Sequence, residues 1–203
     1  EMRSGYDLRT ARRSMNLLTI EWQNRGINLW TIDSSTQTLT AGTSQYTLPA
    51  DTIDLLDQVI RTNAGNSSTQ SDLTISRIGV TTYASIPNKL TQGRPIQVWI
   101  ERLRDAPRIN LWPVPDSSTT YTFVYWRLRR VEDAGNGVET ADMNFRFLPC
   151  LVAGLAYNIA MKTPELAPRI TMLKADYEEQ YNLAAGEDRE KISERFIPRV
   201  GRI

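Results

Sequence analysis

Two kinds of side chain here could do acid/base or covalent chemistry: closely spaced carboxylates and one thiol. Asp51 with Asp54, and Glu101 with Asp105, bring two acids near each other in the chain. A glycosidase needs two such groups about 5–10 Å apart. Spacings this short arise by chance among 23 acidic residues, so a structural role is the expected one. Cys150 lies between Pro149 and Leu151, and the chain has no histidine. That absence excludes a Ser-His-Asp or Cys-His triad, an HExxH zinc helix and imidazole acid/base work at neutral pH. Cys150 is expected to be a small buried hydrophobe, because burial disfavours the thiolate and no imidazole activates it. A lone cysteine cannot close an intramolecular disulfide and does not build a zinc or iron-sulfur site, which suits a reducing compartment. Gly135-Asn136-Gly137 lacks the Lys-Ser/Thr of a phosphate loop, and no acidic run has calcium-loop spacing. No cofactor, metal or catalytic residue is expected, and an enzyme is the weaker class.

The surface chemistry points to protein partners. The 203 residues carry 24 basic and 23 acidic side chains, a net charge of +1 that is far from the footprint of a dedicated nucleic-acid binder. Basic residues do lie near aromatics, from Trp99 to Arg104 and from Tyr125 to Arg130, where they could track a phosphate backbone. Strand alternation explains them more simply. No stretch approaches the roughly 20 apolar residues that span a bilayer, and Glu1-Met2-Arg3-Ser4-Gly5 lacks the apolar core of a signal peptide. Because the sequence opens on Glu1, a few native residues are expected ahead of it.

The elements that must position these groups fall into three stretches. Residues 7–25 read as an amphipathic helix, with Leu8, Ala11, Met15, Leu18 and Trp22 on one face, Gly26 as the stop and Asp7 or Ser4 as the cap. Its arginines read as a solvated face. From Ile27 to Val131 short β-type runs alternate with Gly, Pro, Asn and Ser. Strands are expected near 29–33, 37–41, 45–48, 55–62, 73–78, 96–103, 109–112 and 121–130. Residues 36–48 suggest a hairpin turning at Ala41-Gly42-Thr43-Ser44. Residues 63–72 read as a mobile polar tip, and 81–87 as a short helical turn. In the last strand Tyr121, Phe123, Tyr125, Arg127 and Arg129 alternate with Val124, Trp126 and Leu128. Both faces therefore need cover from a second sheet, a loop or a neighbouring subunit.

The last third is helical again. One helix opens at Asp142 or Asn144, carries Pro149 in its first turn and has Leu148, Val152, Leu155 and Ile159 as its expected apolar stripe. Its small residues Ala153, Gly154, Ala156 and Ala160 permit a neighbouring helix to approach closely. A second helix follows Pro168, places Ile170, Leu173, Tyr177 and Tyr181 on one face, and is expected to end before Gly186. The predicted fold is α+β: a bundle of N- and C-terminal helices (1–27 with 140–186) interrupted by a sheet-rich insertion (28–139). Residues 187–203 remain as a tail. Its last nine residues hold Arg195, Arg199 and Arg202 among Phe196, Ile197, Val200 and Ile203, with no acid. Such a tail is either a frayed end or a docking arm ordered by a partner.

In this order, certain segments resemble the head-to-tail adaptor, or connector, proteins of short-tailed bacteriophages, the tail tubular A-like family. They are Tyr46-Thr47-Leu48-Pro49-Ala50-Asp51, Gly93-Arg94-Pro95 leading into Ile96-Gln97-Val98-Trp99, and Leu111-Trp112-Pro113-Val114-Pro115-Asp116. Arg146-Phe147-Leu148-Pro149-Cys150-Leu151, Gly154-Leu155-Ala156-Tyr157 and Tyr177-Glu178-Glu179 complete the set. The resemblance spans most of the chain, and its specificity lies in the order of the segments.

It implies a structural role without catalysis. About twelve copies would form a ring below the portal protein, extend the DNA channel and offer a platform to the tail nozzle protein. The helical part would face the portal and the sheet-rich part the tail. Genomic DNA would pass without specific binding, and no membrane would be involved. The place implied is the head-tail junction of the virion, after assembly in the host cytoplasm. Arg195, Phe196, Ile197, Arg199, Val200, Arg202 and Ile203 would form a portal-docking arm. Two other classes are weighed beside this one: a carboxylate-dependent hydrolase on a sheet scaffold, and a DNA-contacting head-completion protein.

Overall fold

The three- and four-residue spacing of Ala11, Met15, Leu18 and Trp22 does build a helix. The computed structural model describes residues 5–27, 29–132 and 141–188. In chain order the elements are α1 (Gly5–Asn24), β1 (Ile32–Thr38), β2 (Gln45–Thr47), β3 (Thr52–Thr62), β4 (Ser71–Thr74), β5 (Ser76–Ile78) and the short α2 (Val80–Ala84). They continue with β6 (Gln97–Glu101), β7 (Arg108–Trp112), β8 (Tyr121–Arg129), α3 (Leu148–Ala160) and α4 (Ile170–Glu187). The chain divides into two units, Glu1–Leu29 with Glu132–Ile203, and Trp30–Val131. The fold is α+β.

In the helical unit α1 buries Ala11, Ser14, Leu18 and Trp22. Gly26, at φ +91°, turns the chain out of it, a conformation that costs glycine little. The Ser14 hydroxyl accepts a 2.7 Å hydrogen bond from Lys162 Nζ, which satisfies a polar group otherwise lost from water. Trp22 packs on Phe147 with ring centroids 5.5 Å apart, and its Nε1 donates to Tyr177 Oη at 3.1 Å. Gly154 is the point of closest approach. A Cβ there would lie 2.8 Å from Leu18 Cδ2 and 2.9 Å from Tyr177 Cε2, so the missing side chain lets α1 and α4 both close on α3.

This packing reverses the expected face of α3. Its buried residues are Cys150, Leu151, Ala153, Gly154 and Ala160, whereas Leu148 is 47% and Val152 67% exposed, with Leu155 and Ile159 half-buried. Short side chains allow shorter axial distances, so α1 and α4 settle on the small-residue side and leave the larger aliphatic side outward. Asn144 opens the 3-10 turn that leads into α3, accepting from Arg146 N. α4 buries Tyr177, Tyr181 and Ala184 and continues through Gly186 to Glu187, because one mid-helix glycine costs only about 1 kcal/mol.

The second unit is a sandwich of two four-stranded sheets, ordered β1-β8-β3-β4 and β2-β7-β6-β5. All pairings are antiparallel except β5 with β6. Tyr121, Phe123 and Tyr125 of β8 point inward with Leu55 and Ile60 of β3, against Val98, Ile100, Ile109 and Leu111 of the other sheet. The second sheet is thus the cover that the inner face of β8 required. The expected hairpin over 36–48 is a crossover instead. β1 pairs with β8 and β2 with β7, so the turn containing Gly42 (φ +80°) carries the chain between sheets. Its amide is held by the Pro115 carbonyl at 2.9 Å. The single strand expected over 73–78 is likewise two, β4 and β5 in different sheets, hinged at the buried Ile75. The polar loop after β3 is knit by a bond of its own, Gly65 N to Gln70 Oε1 at 3.0 Å, and is tied to the segment before β8 by Thr119 Oγ1, which donates to Asn63 Oδ1 at 2.7 Å.

Candidate interaction surface

The sandwich assigns its carboxylates to arginines. Alternation along β8 puts Arg127 inward after Tyr125, and the β1 register sets Asp33 directly opposite. Arg127 Nε and Nη2 reach the two Asp33 oxygens at 2.8 and 3.2 Å, and Nη1 reaches Asp51 at 2.6 Å and Thr52 Oγ1 at 2.9 Å. Asp54 accepts instead from Arg77, at 2.8 Å, and from Arg102. Glu101 faces Arg108 across β6 and β7, at 2.6 Å. Asp105 is exposed, 3.9 Å from Arg104. Burial alone would raise the Asp51 carboxyl, but the hydrogen bond and charge of Arg127 outweigh it and hold it below the ordinary carboxylate range. A general acid needs the opposite shift. In keeping with the structural role expected of them, Asp51, Asp54 and Glu101 each face a different guanidinium, while Asp105 stays in solvent.

The same pairs engage two arginines of the basic-aromatic runs. Arg127 is 8% exposed and sequestered, and Arg102 holds Asp54. Trp99 packs on Tyr83 of α2 with centroids 5.0 Å apart, so it is not an open platform for a base.

In the helical unit Cys150 is fully buried, and burial pushes its thiol up to about 12. Native protein is therefore expected to leave an aromatic disulfide reagent uncoloured at pH 8, and to release one thiolate equivalent only after unfolding. Rapid labelling of the native chain would contradict this burial. The polar end of the bundle is closed by Arg25, which grips both Glu178 oxygens at 3.1 Å, bonds Glu21 at 2.7 Å and lies 4.4 Å over the Tyr181 ring. The Tyr177 hydroxyl donates a hydrogen bond to Glu21 Oε1 at 3.2 Å. Among the described residues no group of three or more acids or thiols could hold a metal, and no helix is long and apolar enough to cross a membrane.

Some large apolar side chains remain outward. Leu17 and Ile20 of α1 are 55% and 41% exposed, away from the Leu18 and Trp22 face. A groove of about 480 Å³ runs between α3 and α4. Leu148, Pro149 and Val152 form one bank, Ala153 and Ala156 the floor, and Asp176 and Gln180 the α4 bank. Such a groove suits the side chains of another protein better than a reaction, since it gathers no reactive pair. Sequence reasoning missed it by placing Val152 inward. The available signal was that α3 is apolar nearly all round, which a helix with two partners requires. Arg195, Phe196, Ile197, Arg199, Val200, Arg202 and Ile203, expected to form a docking arm, lie outside the described residues.

Residues 4–200, nearly the whole chain, match the family model described as SU10 adaptor protein. No curated protein matches it.

Proposed function

The chain belongs to the SU10 adaptor protein family of phage head-tail adaptors, and from that membership we propose that it joins the portal ring to the tail nozzle. It acts as a ring of about twelve copies at the head-tail junction, assembled in the host cytoplasm and extending the channel through which the genome leaves. The family match over 4–200 carries this reading. The structure adds support. Asp51, Asp54 and Glu101 of the sandwich are held in ion pairs, the helical unit keeps apolar side chains outward, and the net charge of +1 suits a wall past which DNA slides without being gripped. The helical unit faces the portal and the sandwich the tail, and the protein does no catalysis.

The portal contact is the C-terminal segment. Phe196 and Ile197 each contribute about 1.5–3 kcal/mol when fully buried in a partner pocket. Repetition around a ring turns such contacts into firm attachment. Full-length protein mixed with its portal ring is expected to sediment as a complex holding about a dozen copies, little changed by moderate salt. Deleting 196–203 should leave the fold intact and abolish attachment. Equal portal binding by the truncated chain would remove the arm from the mechanism, and absence of binding at every salt concentration would remove the portal.

A further inference from the structure

We infer that the groove between α3 and α4 receives the Leu17 and Ile20 face of α1 from a second copy of this chain, head to tail. The inference rests on the ring reading above and names its lateral contact. Lengths agree: Pro149 to Ala156 along the groove and Arg13 to Ile20 along α1 are both eight helical residues, about 10 Å from first to last. Shapes agree as well. The one-carbon side chains of Ala153 and Ala156 keep the groove floor low enough for a helix to seat in it, while Val152 and Leu148 stand as an apolar bank for Leu17 and Ile20. Charge fixes the direction. Arg13 is exposed one turn before Leu17, Asp176 is exposed on the opposite bank, and neither makes an ion pair among the described residues.

Because the two surfaces differ, the contact is heterologous: each copy uses its α1 face on one side and its groove on the other, and the series closes as a ring. One helix in one groove buries less than the roughly 1,200–2,000 Å² of a stable pair, so isolated dimers are weak and closure supplies the strength.

The test uses the full chain in sedimentation experiments, with and without the portal ring. Arg13→Asp and Asp176→Arg are each expected to weaken self-association about tenfold or more, and their combination in one chain to restore it. Leu17→Glu and Val152→Glu chains should each stop association alone, yet form weak pairs and no rings when mixed at high concentration, since one intact α1 face then meets one intact groove. Both positions are exposed, and continued protection of Cys150 reports that the variants are folded. Wild-type association by either single glutamate variant would overturn the inference. So would association lost on deleting 189–203 but kept in Leu17→Glu, which would make the tail the occupant of the groove. A wild-type chain that fills the portal while Val152→Glu fills it equally well would sink this contact and leave the portal reading standing. Failure of the wild-type chain to bind the portal, with charge-swap rescue intact, would do the reverse.

Discussion

Replacing Trp22 with alanine is expected to lower the stability of the helical unit by about 3–5 kcal/mol, the usual cost of emptying a large aromatic site. The reasons are specific to this bundle. Trp22 is 1% exposed, stacks obliquely on Phe147 and donates to Tyr177 Oη, which in turn donates to Glu21. Truncation leaves a cavity and deprives a buried phenol oxygen of its donor, two penalties that add. With about 1 kcal/mol shifting a domain of this size by roughly 4–8 °C, the bundle transition in calorimetry should fall by more than about 12 °C. A Trp22→Phe chain keeps most of the apolar contact and should fall between. The sandwich has its own core, so its transition should stay in place. A bundle transition within a few degrees of wild type would mean that this contact is not structural.

Arg127→Met is expected to produce the complementary result: the sandwich weakened by about 2–4 kcal/mol and the bundle spared. Breaking a buried ion pair by removing one partner costs about 3–5 kcal/mol. The value here is reduced because Asp33 and Asp51 are 39% and 42% exposed and regain water. Lysine at this position should rescue only part of the loss, since a point charge cannot fork between two carboxylates and Thr52. The pH dependence follows from Asp51. Its folded carboxyl titrates below the ordinary value, so its contribution is complete above about pH 4 and is lost as pH falls through the depressed folded value. The gap between wild type and Arg127→Met should therefore narrow in acid. A gap constant from pH 7 to pH 3 would show that Arg127 acts through packing of its stem and not through charge.

How far the sequence foretold this molecule depends on the range of the forces involved. α1 was legible because one helix face is set by neighbours three and four residues away, and Gly26 marked its end unambiguously. β8 was legible in the same way. Its alternation already placed Arg127 on the inner side with Tyr125, although not that Asp33 and Asp51, from distant strands, would meet it there. Errors arose where a local pattern has two long-range solutions. A glycine turn between alternating segments serves a hairpin or a crossover equally well, and only the pairing of β1 with β8 decides. On α3 the larger side chains looked like the core stripe, yet packing chose Gly154 because its missing Cβ admits Leu18 and Tyr177. The groove was hidden for the same reason, since a partner's surface leaves no periodic trace beyond surplus apolarity.

The pairing of Ile32 with Leu128 brings the two ends of the sandwich side by side in one sheet, and this bears on the order in which the chain folds during synthesis. α1 leaves the ribosome first, but α3 follows roughly 120 residues later, a wait of about 6–25 s at usual elongation rates. Through that interval Leu18 and Trp22 have no native surface to cover them. Once the sandwich closes, the path between α1 and α3 shortens from roughly 120 residues to about 28, which reduces the entropic cost of joining them by about 1.3 kcal/mol. The inserted unit thus serves as a clasp for nascent chain, bringing the separated halves of the bundle within reach of each other before the last helix is made.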